Sequence, residues 1–121
     1  MEGPVSDFTT IRYDVDAEAH VATITLDRPD RLNAFNRTMC EEVREAWQRV
    51  KADASVHAVV LRAAGERAFS AGLDVTEAFG QPDDVWNHED PGEYLSAKWQ
   101  QVWKPVVCAV QGMCTAGAFY F

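Results

Sequence analysis

Two short glycine-bearing stretches carry the chemistry this sequence can offer: Phe69-Ser70-Ala71-Gly72-Leu73-Asp74 and Gly112-Met113-Cys114-Thr115-Ala116-Gly117. Each follows a run, Val59–Arg62 for the first and Val106–Val110 for the second, that reads as a strand of a parallel sheet. Ligands of parallel sheets bind beyond the carboxyl ends of the strands. Glycine lets main chain approach a ligand closely, and a helix beginning just after the turn offers N–H groups with no partner inside it. Two such turns can aim two N–H donors at one anionic oxygen, an oxyanion hole made of main chain. Small side chains suit that task, because bulk would screen the amides.

The elements that must hold these turns are legible in the patterning. Residues 11–15 and 21–26 alternate apolar and polar, with the turn-forming run 14–20 between them, which predicts two neighbouring strands. Residues 27–36 read as a loop around Pro29. Met39, Val43, Trp47 and Val50 recur at spacings of four, four and three, one apolar helix face. Asn36 or Thr38 can cap its start, and Thr38-x-x-Glu41 fits a capping box. The continuous apolar runs 57–65 and 105–112 predict strands buried on both faces. Between them, Leu95, Trp99 and Val102 or Trp103 predict a helix over 93–104 with its tryptophans in the core. The acidic stretch 81–93, with two prolines, predicts a mobile surface loop. This order of strands, helix and crossovers is that of an α/β layer fold.

Composition narrows the partners. The chain has 121 residues, 47% hydrophobic and 25% charged, which is one small domain or part of a larger one. A net charge of −8 argues against a nucleic-acid partner and against an anionic membrane surface. It leaves room for an anionic small ligand held by local cations and backbone N–H groups. The three cysteines, Cys40, Cys108 and Cys114, form no CxxC pair, which favours reduced thiols in the cytoplasm over a disulfide or zinc framework. The first ten residues lack a signal-peptide pattern, and no apolar run approaches the ~20 residues of a membrane span.

Several side chains invite sharper readings than their surroundings support. Ser70 suggests a nucleophile elbow, G-x-S-x-G, but Ala68 stands at the first glycine and no His or acid is placed to complete a triad. A serine hydrolase nevertheless stands as a competing class. Cys114 reads as a small buried residue. His20, His57 and His88 are scattered without H-E-x-x-H, so no metal is expected.

Taken together, Arg31-Leu32-Asn33-Ala34-Phe35, Ala68-Phe69-Ser70-Ala71-Gly72-Leu73-Asp74 and the run 104–118 resemble the crotonase family, the enoyl-CoA hydratase/isomerase superfamily. The resemblance runs from about residue 8 to the last residue, with the three motifs in the family's order and spacing. It implies a crotonase-like ββα spiral core spanning 1–121, cut before the C-terminal helices. It also implies acyl-CoA thioester substrates and no prosthetic group. The thioester oxygen, enolate-like in the transition state, would be held by the amides of Leu73 and Gly117, the latter at a helix start. The resemblance further places Arg31, Leu32 and Ala34 beside the nucleotide or pantetheine arm. It puts the backbone of Ser70, Ala71 and Asp74 at the adenine end. Hydration, isomerisation or a related lyase step is implied, in a homo-oligomeric, trimeric or hexameric, complete protein. A non-catalytic acyl-CoA-binding or scaffold member of the same fold is the alternative.

Two departures bear on mechanism. Many hydratases carry a glutamate three residues after the oxyanion glycine; here that position is Tyr120. A phenol of pKa near ~10 is a poor general base at neutral pH, though it can donate a hydrogen bond or act as an acid. The chain also ends at Phe121, about half the usual family length, which predicts an N-terminal half or fragment. Its terminal Phe119, Tyr120 and Phe121 would then need a partner, and the isolated monomer would be poorly stable or self-associating.

Overall fold

The alternating segment folds as two antiparallel strands, β1 (Ile11–Asp16) and β2 (Val21–Leu26), in the computed structural model, which describes residues 7–77, 86 and 88–121. Asp16 shapes the turn between them, its Oδ1 accepting the amides of Glu18 and Ala19. After a 3₁₀ turn at Pro29–Arg31, the helix α1 (Arg37–Ala52) crosses to β3 (Ala58–Ala63), which lies parallel to β2. Asn36 is the cap of α1, its Oδ1 accepting the Met39 amide at 2.9 Å. Because the helix begins at Arg37, Thr38 is already helical and the Thr38–Glu41 capping box does not form.

The short strand β4 (Ala68–Ser70) leaves the main sheet, and α2 (Gly92–Leu95) precedes β5 (Val106–Cys108) and β6 (Met113–Cys114). The main sheet has the order β1-β2-β3-β5, with β5 parallel to β3. A second sheet pairs β4 with β6, also parallel. This is an α/β architecture, and its small sheet brings the two glycine turns side by side.

The core lies between one face of the main sheet and α1. Ala22, Ile24 and Leu26 of β2 and Val59, Leu61 and Ala63 of β3 face Met39, Val43, Ala46, Trp47 and Val50. The helical face read from spacing is therefore the buried one. The strands expected to be buried on both faces are not. β3 buries alternate residues, and at the sheet edge Val107 of β5 is 62% exposed. Among the described residues, the main sheet packs a helix on one face only, so period-2 burial prevails.

The helix expected over 93–104 is also corrected. α2 stops at Leu95, Ser96 is extended, and Gln101 takes a left-handed φ of 58°. The Leu95 carbonyl, which a longer helix would use internally, instead accepts the buried Trp47 indole N–H at 2.9 Å. Leu95 and Val102 still enter the core, but Trp99 and Trp103 are 64% and 78% exposed. Lys104 ends the segment by donating to the Val50 and Asp53 carbonyls at the C-terminus of α1. Such placement satisfies orphan carbonyls at the negative end of the dipole. Of the loop expected at 81–93, residues 81–85 and 87 lie outside the described residues. Its described end is tied down by Glu89, which pairs with Arg37 at 2.7 Å and accepts a hydrogen bond from the Tyr94 hydroxyl.

Candidate functional site

The first glycine turn is made by polar side chains that face inward. Ser70 is fully buried; its Oγ donates to the Asn33 carbonyl at 2.8 Å and accepts the Gly72 amide at 3.1 Å. Asn33 is buried too. Its Oδ1 accepts the Arg28 amide, and its Nδ2 donates to the Ala64 and Ala68 carbonyls. The main chain of the turn then pairs in parallel with the preceding loop. The Ala71 amide donates to Leu32, the Phe35 amide to Gly72 and the Asp74 amide to Phe35. In a parallel bridge the residue facing its partner keeps its own N–H on the other side. That residue is Leu73. Its amide donates to no acceptor among the described residues, and the residue is 41% exposed. No helix follows within the described residues up to Glu77, contrary to expectation.

The second turn is shaped by close packing. Gly112 has φ +63°, and a Cβ there would lie 2.3 Å from the Arg67 carbonyl oxygen. Thr115 stitches this turn to the first, its amide donating to Ser70 and its hydroxyl to the Ala71 carbonyl. Ala116 takes a left-handed φ of 52° and opens a five-residue 3₁₀ helix, Ala116–Tyr120, in place of an α-helical start. The first internal bond runs from Ala118 to Thr115 and skips Gly117. The Gly117 amide is thus one of the donors a helix start leaves over, and no described residue accepts it.

The two amides, each without an acceptor among the described residues, lie close together. Gly72 has φ +93°, and a Cβ on it would sit 3.1 Å from the Gly117 nitrogen and 3.1 Å from the Thr115 oxygen. Standard backbone dimensions then put the Leu73 and Gly117 nitrogens within about 7 Å of each other. The positive φ favours glycine at position 72, and a side chain there would press on the second turn.

The other predicted residues take varied places. Arg31 is exposed, its guanidinium donating to Thr76 Oγ1 at 3.1 Å. Leu32 is half-buried with φ 54°, and Ala34 is buried with its carbonyl held by Arg28 at 2.6 Å. Asp74 is buried. Bonds from the Thr76 hydroxyl and amide, with Arg28 at 3.1 Å, hold its carboxyl at about 2. Arg28 is the residue sequence reasoning passed over: it joins Ala34, Asp74 and Glu77 and locks the loop onto the turn. Spacing alone does not separate it from Arg31. Tyr120 is 41% exposed, its ring wedged between Gly92 and Gly117, and its hydroxyl has no acceptor among the described residues. Cys114 is half-buried rather than fully buried. Ser70 does not fit a nucleophile, since its hydroxyl is sealed inside and already donates to a carbonyl. Among the described residues no group of three or more His, Cys, Asp or Glu is placed to hold a metal ion.

Comparison with known proteins decides which family this geometry belongs to. The family model for enoyl-CoA hydratase/isomerase matches residues 16–121. The chain belongs to the enoyl-CoA hydratase/isomerase family. It is similar to carboxymethylproline synthase of Pectobacterium carotovorum, 38% identical over 84% of this chain and 41% of that protein. It is similar also to the mitochondrial Delta(3,5)-Delta(2,4)-dienoyl-CoA isomerase of Homo sapiens, 31% identical over 96% of this chain and 38% of that one. Among solved structures, an enoyl-CoA hydratase/isomerase from Xanthobacter autotrophicus Py2 superposes with a TM-score of 0.78. It is 35% identical, with 93% of this chain and 42% of that chain covered. The chain spans about two fifths of the length of these two curated relatives. Against this family background, the described part of the chain contains both glycine turns and the loop that braces them. No described helix is long and apolar enough to cross a membrane.

Proposed function

We propose that the protein binds an acyl-CoA thioester and stabilises its enolate-like oxygen with the amides of Leu73 and Gly117. The observation that carries this reading is the closeness of two backbone amides that no described acceptor uses, brought together at Gly72. Main-chain donors fixed by surrounding bonds need no reorganisation as charge develops, and one such donor typically contributes about 3–4 kcal/mol of barrier lowering. The reaction is of the enoyl-CoA hydratase/isomerase type: a proton moves at the carbon beside the thioester while the oxygen carries the charge.

Arg31 is the exposed cation on the pantetheine or nucleotide side, with Leu32 and Ala34 bordering the arm. The backbone of Ser70, Ala71 and Asp74 borders the adenine end, while their side chains brace the turn. Tyr120 contributes a hydrogen bond or a proton from its hydroxyl. Coenzyme A enters as part of the substrate, with no prosthetic group. Exposed Val107, Val110, Met113 and Phe119 favour a homo-oligomer, trimeric or hexameric, and the absence of a CxxC pair favours the cytoplasm.

The test is calorimetric titration with butyryl-CoA and with its S-butyl thioether, which lacks only the carbonyl oxygen. The thioether is expected to bind at least about tenfold more weakly, the loss of two hydrogen bonds to one acceptor. Equal binding contradicts the reading. Crotonyl-CoA turnover measured alongside separates an enzyme from a non-catalytic acyl-CoA-binding member of the fold.

A further inference from the structure

Phe35 touches both halves of the amide pair by different means. Its main chain brackets Leu73: the Phe35 amide donates to the Gly72 carbonyl at 2.8 Å, and its carbonyl accepts the Asp74 amide at 2.9 Å. That bracket fixes the plane of the Leu73 peptide and turns its N–H away from the bridge. Its ring seats Gly117: a Cβ on Gly117 would lie 2.6 Å from Phe35 Cζ and 2.8 Å from Cε2. The glycine's α-carbon therefore rests directly on the ring.

The residue is itself held from all sides. It is 1% exposed, and the next residue, Asn36, caps α1, so its backbone continues into a rigid helix start. Tyr120 and Phe121 meet the ring edge-on at 6.4 and 6.1 Å between centroids, and Phe69 in turn backs Phe121 at 6.0 Å. Packed aromatic contacts of this kind leave little room for the ring to shift.

We infer that Phe35 is the positioning residue that sets the separation of the Leu73 and Gly117 amides, and with it how strongly a thioester carbonyl is polarised. The inference rests on the amide-pair reading of the site. Phe35 does not contact the bound carbonyl; it acts through the two amides. Shortening the side chain lets the 3₁₀ turn settle inward. Adding a methyl to Gly117 pushes the same turn outward. Making both changes puts the methyl in the space the ring vacated, and the spacing is regained. Gly117 carries no positive φ, so alanine is compatible with its backbone.

The experiment compares wild type, Phe35→Leu, Gly117→Ala and the double variant by infrared difference spectroscopy of bound [1-¹³C]butyryl-CoA. Wild type is expected to lower the carbonyl stretch. Each single variant should lose at least about half of that downshift, and the double variant should regain most of it, since neighbouring substitutions couple. Affinity for free CoA, which has no thioester carbonyl, should stay within about twofold in all four. A merely structural Phe35 would lower the melting temperature without moving the stretch. Phe35→Met, which keeps bulk without a ring, serves if Phe35→Leu fails to fold. A wild-type downshift that survives Phe35→Leu, or a double variant no better than the singles, overturns the inference alone. A wild type that binds butyryl-CoA with no downshift overturns the amide-pair reading and the inference together.

Discussion

The two glycine turns present the same group, one amide each without an acceptor among the described residues, but they are held in largely different ways. Around Gly72 the hold is polar: Ser70, Asn33, Arg28 and Asp74 spend their side chains on the backbone of the turn and its neighbours. Around Gly117 the hold is mainly steric, with Thr115 bonded to Ser70 and Ala71: Gly112 packs on the Arg67 carbonyl, Gly117 rests on Phe35, and Ala116 sits in left-handed space. A turn fixed by hydrogen bonds to buried groups is sensitive to charge and to lost partners. A turn fixed by contact is sensitive to added volume. The pair therefore has two separate ways to fail while sharing one proposed task.

The largest expected effect lies on the steric side. Gly112→Ala adds positive-φ strain to an overlap with a backbone carbonyl, and should cost at least about 4 kcal/mol or abolish folding. A urea melt checks it, and a loss under 1 kcal/mol, roughly the cost of φ alone, would deny that contact shapes this turn. Next comes Asn33→Ala, which strips partners from the Arg28 amide and two carbonyls in one step. It should cost about 2–3 kcal/mol. Hydrogen exchange should localise the loosening to the Gly72 turn first.

The pH response should also divide the two turns. Asp74 in the folded protein sits at about 2, below its unfolded value. A depressed carboxylate adds stability that is present above about 3.9 and lost as pH falls toward the folded value. The Ala71 and Asp74 amides should therefore lose exchange protection between about pH 4 and pH 2 before those of Met113 and Thr115. Asp74→Asn should be less stable at neutral pH by about 1–2 kcal/mol and should flatten that profile. Equal acid response in both turns would erase the distinction. The smallest effect is Ala116→Gly, which relieves left-handed strain at φ 52°. A gain of about 0.5 kcal/mol is expected after the added unfolded-state entropy, seen as a slightly higher melting temperature.

How much of this was legible in the sequence follows the kind of hold. β1, β2 and α1 announce themselves through periodicity, because one face of each is buried and the other wet. The glycine turns are legible because positive φ and close approach leave few other residue types. The apolar spacing over 93–104 does not produce a helix of that length, and the Leu95 carbonyl instead accepts the Trp47 indole N–H, a contact 48 residues away that spacing does not show. The role of Arg28 was hidden for a similar reason. Its partners Asp74 and Glu77 lie 46 and 49 residues along the chain, and one surface-like arginine resembles another. Burial on both strand faces was overestimated because an apolar run does not say what packs on each side.

The most direct test of the central claim reads the two amides themselves. In ¹H–¹⁵N spectra of the protein, titration with butyryl-CoA and with its S-butyl thioether differs only in the carbonyl oxygen. The Leu73 and Gly117 cross-peaks should move downfield with the thioester, the mark of a new acceptor on each N–H, and stay near their free positions with the thioether. If both ligands move these two peaks alike, or neither peak responds to the thioester, the paired-amide account of this site is wrong.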